Sequence, residues 1–164
     1  MTNHNPRVRR SAGTVMPLDL VRNRMRAPSL AASAADIEAV DRGEGRAVAC
    51  MFRGTYSSYP RRFKQKMLDL TNDALVLRPF WYSLSRKHLT ITEPVLSAQV
   101  RPRNFKTDWT IRAAGMYAPG SRLEWAGFEV ISCQTRSGTL ELAVPRPDVP
   151  LVLHVLQPER NPRH

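Results

Sequence analysis

Long apolar runs are what this sequence most plainly lacks. No stretch nears the ~18 consecutive apolar residues of a membrane-spanning helix, and the longest candidate, residues 150–156, falls far short. The first twenty residues, MTNHNPRVRRSAGTVMPLDL, hold basic side chains without the apolar segment of a secretory signal. A cytoplasmic address is expected, or a peripheral one at the inner face of a membrane. Cysteine is almost as scarce. Cys50 and Cys133 have no CxxC spacing, which speaks against a zinc site or a disulfide framework and for two small buried thiols. Lysine is rare as well, with Lys64, Lys66, Lys87 and Lys106 the only four among 25 basic residues. The arginine excess suits bidentate contact with phosphate or carboxylate, but a GC-rich genome produces the same bias.

The material for catalysis is missing too. His4 and His164 lie in the tails, His88 begins an expected strand and His154 sits in an expected helix, so no nucleophile, base and orienter converge. Neither a GxGxxG nor a GxxxxGK[ST] loop is present. Asp69 and Asp73 flank a tight turn, where aspartate serves local hydrogen bonding. Trp81, Trp109 and Trp125 are spread through the strand region and read as core or barrel rim. No enzymatic activity, cofactor or metal is expected.

What the chain has in abundance is positive charge. It has 164 residues, 25 Lys+Arg against 14 Asp+Glu, and a net charge of +11. That favours anionic partners, whether nucleic acid, lipid headgroups or an acidic protein face. The charge is uneven: residues 1–28 carry +5, 29–45 carry −3, 46–70 carry +5, 71–112 carry +4, and 113–164 are neutral. Residues 1–28 hold three prolines and no sustained period, so they are expected to form a largely flexible basic tail. Residues 29–45 read as a short acidic helix, with Ser33 as N-cap and Gly43 as stop. Residues 46–157 make up the domain, and 158–164 a C-terminal tail.

Within the domain the period is two. RAVACMFRGTY places Val48, Cys50 and Phe52 on one face; KQKMLDL and ALVLRPF flank Thr71-Asn72-Asp73; HLTIT and VLSAQVRPR are separated by Glu93-Pro94; KTDWTIR alternates as well; and RLEWAGFEVISCQT and TLELAVP are joined through Arg136-Ser137-Gly138. About seven strands with frequent turns indicate an antiparallel sandwich or barrel. After Pro145, Asp148 is placed to cap a helix with Val149, Val152, Leu153, Val155 and Leu156 along one side, ending near Pro158 and covering the sheet.

The hairpin MLDLTNDALVLRP, the segment HLTITEPVLSAQVRPR, the last hairpin FEVISCQTRSGTLELAVP and the helix PDVPLVLHVL together resemble the pleckstrin-homology-like (PH-like) superfamily, in the manner of bacterial GRAM-type domains. The likeness spans residues 46–157. It departs from the family in lacking the tryptophan common in the closing helix, and in the longer middle segment FKTDWTIRAAGMYAPGSRLEW. It implies a seven-stranded antiparallel barrel capped by a C-terminal helix, here with a short N-terminal helix, and a non-catalytic binding or scaffold role. Arg53 followed by Arg62-x-Lys64 is similar to the basic motif of the family's inositol-phosphate binders.

Around that motif the basic residues cluster: Arg53, Arg61, Arg62, Lys64 and Lys66, with Arg86 and Lys87 in a later connection and Arg101 and Arg103 as extensions. Lys64 and Lys66 lie two apart on a strand and so share a face. The cluster is either an anion site or a solvated rim that keeps strand edges unpaired. Three partners follow: a protein, an anionic membrane surface, or nucleic acid stacking on Tyr56, Tyr59, Trp81 and Tyr82 beside the basic residues.

Overall fold

Alternation along β2 makes Val48, Cys50 and Phe52 point the same way, and in the computed structural model all three are fully enclosed. The structure describes residues 9–11, 30–55, 59–71, 75–79, 89–91, 93–102, 104, 106, 111 and 128–157. In chain order these form β1 (Arg9–Arg10), α1 (Leu30–Asp41), β2 (Arg46–Gly54), β3 (Lys64–Leu70), β4 (Leu75–Pro79), β5 (Leu89–Ile91), β6 (Ser97–Val100), β7 (Phe128–Gln134), β8 (Thr139–Pro145), a 3-10 turn (Arg146–Asp148) and α2 (Val149–Leu156).

Strands β2 to β5 make one antiparallel meander and β6 to β8 a second. The last strand pairs with the first of them, giving the order β5-β4-β3-β2-β8-β7-β6. Among the described residues β5 and β6 do not pair with each other, so the seven antiparallel strands form a half-barrel. The chain is thus mainly β with a C-terminal helix, as its alternation predicts. Most of KTDWTIR, all three tryptophans, Asn72-Asp73 and residues 158–164 lie outside the described residues.

Register assigns the faces. Val48 opposes Leu68, Phe52 opposes Leu142 across β8, and Ile131 opposes Leu142 from β7. These side chains line the concave side and share one core with Val40 of α1 and with Val149, Leu151, Val152 and Leu156 of α2. The helix covers the sheet as expected, and Leu151, which lies off the expected apolar stripe, is buried with the rest. Asp148 stands at the N-cap but its side chain makes no capping hydrogen bond. The convex side is apolar as well: Met51, Phe63, Ile111, Phe128, Val130 and Ala143 form a second cluster. Strand β2 is buried on both faces, which is why RAVACMF reads as a nearly continuous apolar run.

Helix α1 ends where the sequence predicts. Gly43 adopts φ +90°, its N–H donates to the Val40 carbonyl at 2.9 Å, and the Glu44 N–H donates to the Ala39 carbonyl at 2.9 Å. This is the paired closure that a left-handed glycine permits. The start differs from expectation. The helix already runs from Leu30, so Ser33 lies inside it rather than at its N-cap, and its hydroxyl donates to the Pro147 carbonyl at 2.7 Å. Two further polar bridges brace α1: Asp36 with Arg46 of β2 at 2.8 Å and Asp41 with His154 of α2 at 2.7 Å.

The expected tail also contributes to the sheet. Arg9 and Arg10 pair in parallel with Arg46 and Ala47, and the Ser11 N–H donates to the Ala47 carbonyl at 2.9 Å. Strand β8 takes only Met51 to Gly54 on that edge of β2, leaving its first half open to β1. The rest of 1–28 lies outside the described residues.

Candidate anion-binding site

The far end of β2 carries the basic cluster, and the register divides it. Phe52 opposes Lys64 and Cys50 opposes Lys66, so both lysines sit on the concave side, as their spacing requires. Arg53, one residue on from Phe52, lies on the convex side opposite Glu141. The fold therefore does not bring Arg53 together with Lys64 and Lys66. Arg86, Lys87 and Arg103 lie outside the described residues.

On the convex side Arg53 is held firmly. One of its terminal nitrogens, Nη2, lies 3.1 Å and 3.3 Å from the two carboxylate oxygens of Glu141, and its guanidinium carbon lies 4.3 Å from the ring centre of Phe63. Such stacking adds an attraction between the cation and the ring face. Arg101, just beyond β6, donates to the same carboxylate. Two arginines thus share one carboxylate in a partly buried triad. The structure gives Arg101, expected only as an extension of the patch, a definite place.

Beyond β2 the described chain resumes at Tyr59. The Gly54 N–H donates to the Pro60 carbonyl at 3.0 Å, which brings Arg61 back beside Arg53. Gly54 permits the close turn: a Cβ there would stand 3.0 Å from Cδ2 of Tyr59 and 3.2 Å from Cδ2 of Leu140. Tyr59 packs edge-on against Phe52, with centroids 5.3 Å apart and planes at 86°. Burial, and secondarily the Glu93 carboxylate, push its phenol above the ordinary value, so it stays protonated. Tyr59 is thus engaged with the core rather than presented for stacking, and Tyr56, Trp81 and Tyr82 lie outside the described residues.

A cleft of about 390 Å³ results, lined by Arg53, Gly54, Thr55, Arg61, Thr139 and Glu141. Thr55 and Thr139 stand on the same face as Arg53 and Glu141. The Thr55 N–H donates to the Thr139 carbonyl at 3.1 Å, and the Thr139 N–H donates to the Thr55 hydroxyl at 3.0 Å. Sequence reasoning missed Thr55, Thr139 and Glu141. The one visible signal was Glu141, a lone acid between Leu140 and Leu142 in an apolar strand. Arg61, Arg62 and Lys64 are exposed, and among the described residues their side chains form no hydrogen bond or ion pair.

The remaining candidates have structural places. Cys50 and Cys133 are free and buried, and desolvation pushes both thiols up to about 12. Asp69 pairs with Arg78 at 2.6 Å. No helix among the described residues is long and apolar enough to cross a membrane. In comparisons with known proteins, no family model and no curated protein matches the chain.

Proposed function

We propose that this chain is a non-catalytic binding module of PH-like architecture that attaches to anionic membrane surfaces through the rim formed by Arg61, Arg62 and Lys64. Support for the architecture comes from the strand order: the first strand of the barrel lies between the second and the last, and a closing helix packs into the concave core. One observation carries the functional reading. While Arg46, Arg53, Arg78 and Arg101 are paired with carboxylates, these three cations have no partner and stand together at one end of the sheet. Each Lys or Arg near an anionic surface contributes about 1 kcal/mol, so three contribute roughly 3 kcal/mol, about a hundredfold in partitioning.

Sedimentation with phosphatidylglycerol-containing vesicles at low salt tests this. The wild-type chain pellets with the vesicles and is released by high salt. The triple variant Arg61→Ala, Arg62→Ala, Lys64→Ala stays in the supernatant while its melting temperature is unchanged. A wild-type chain that ignores such vesicles at low salt overturns the reading. Salt-steep binding to single-stranded nucleic acid in its place would establish the other anionic partner.

A further inference from the structure

We infer that Leu96 is an apolar anchor that enters the acyl region of the bilayer when the basic pole docks, with Arg136 beside it as a further cation at headgroup level. The inference rests on the membrane reading proposed above. It adds the face of the molecule that meets the lipid and a contribution that is not electrostatic.

The backbone at the entry to β6 makes Leu96 stand out. Ser97 opposes Gln134 in the ladder, and the Leu96 N–H donates to the carbonyl of the same residue at 2.8 Å, so two residues stand against one, as in a β-bulge. Strict alternation counted back from Ala98, which packs against the core, turns Leu96 inward. The extra residue reverses this. Val95 and Ala98 pack against the core, and Leu96 and Ser97 between them are exposed. Leu96 is 52% exposed, the highest value for a large apolar side chain among the described residues. Pro94 just before it is exposed too.

A lone exposed leucine is ordinary on a protein surface; this one shares a pole with the unpaired cations. Gln134 ends β7, and the hairpin to β8 turns there through Arg136, which is exposed and, among the described residues, in no ion pair. The Thr139 hydroxyl donates to the Gln134 side-chain oxygen at 3.2 Å, and the Thr139 N–H donates to the Thr55 hydroxyl at 3.0 Å. Gly54, next to Thr55, holds the Pro60 carbonyl just before Arg61. Leu96, Arg136 and Arg61 thus belong to one end of the sheet. The mouth is also bridged at this end. Ser137 donates to the Glu93 carboxylate, and burial, with that carboxylate second, pushes up the Tyr59 phenol, so the segment carrying Leu96 lies close to the one carrying Arg61. An apolar tip flanked by cations fits an anionic bilayer, which has a charged surface over an apolar interior. A purely charged partner leaves Leu96 in water.

Vesicles of phosphatidylglycerol with phosphatidylcholine at low salt test this. Taking a half-exposed leucine out of water is worth roughly tenfold in partitioning. Leu96→Ser therefore binds roughly tenfold more weakly than wild type, on the same area argument, with an unchanged dependence on salt because no charge is altered. Arg136→Ala weakens binding roughly fivefold and lessens the salt dependence. Val100 is the control: it is 39% exposed at the opposite end of β6, and Val100→Ser leaves binding unchanged. Depth is read with an environment-sensitive fluorophore attached at Leu96→Cys or at Val100→Cys, the native thiols being buried. The label at position 96 brightens when vesicles are added and is quenched by brominated acyl chains, and the label at position 100 does neither. If the wild-type chain pellets with the vesicles but the label at position 96 stays in water, or Leu96→Ser binds as tightly as wild type, the inference is overturned and the membrane reading stands. A wild-type chain that does not pellet overturns both.

Discussion

The two ends of β2 use arginine in opposite ways. At the start, Arg46 meets Asp36 at 2.8 Å with both side chains 11% exposed, and its guanidinium also donates to the Gly45 carbonyl. That charge joins α1 to the sheet and has nothing left for a ligand. At the other end Arg53 shares Glu141 with Arg101, while Arg61, Arg62 and Lys64 stand unpaired. The acids of α1 therefore neutralise one pole, and the other keeps its field. A net charge of +11 says little about function until the internal pairs are set aside.

The core that holds both ends in register is tested through its thiols. With Cys50 and Cys133 at about 12 instead of 9, the thiolate fraction at pH 8 is about a thousandfold below that of an unfolded chain. Alkylation at pH 8 should be suppressed by at least that factor until denaturant is added, and fast labelling of the native protein would show an open core. Because the folded values are raised, this contribution to stability is complete below pH 9 and is lost as pH rises from 9 to 12.

The next largest effect separates the two ends. Arg46→Ala leaves Asp36 largely buried without its cation, and should cost about 3 kcal/mol in urea unfolding while leaving vesicle binding intact. An effect below about 1 kcal/mol would mean that the α1 end resembles an exposed surface pair. Gly43→Ala forces a side chain into φ +90° at the helix stop and should cost about 1 kcal/mol. The smallest effect belongs to the rim: the triple variant that abolishes vesicle binding should change stability by less than about 0.5 kcal/mol, since its cations touch no partner. A larger loss would move those residues from binding to structure.

Much of the fold was legible because strand alternation and helix stops are local. Val48, Cys50 and Phe52 announced an inward face, Gly43 announced a helix end, and Arg136-Ser137-Gly138 announced the hairpin closed by the Thr135 N–H donating to the Gly138 carbonyl at 2.9 Å. The failures involve distance along the chain. Ser33 looked like a cap because its true partner, the Pro147 carbonyl, lies 114 residues away. Arg9 and Arg10 looked like tail because the free half of an edge exists only once β8 has paired with the other half of β2.

The candidate site divides in the same way. The sequence by itself determined that Lys64 and Lys66 share a face, since alternation follows from backbone geometry, and that positive charge gathers between residues 46 and 70. It did not determine which of those cations are free. Arg53 finds its carboxylate 88 residues away on β8, and Arg101 reaches the same group from beyond β6. Only the tertiary structure decided this, because pairing of charges depends on which strands become neighbours, and that is settled by burial of the whole core.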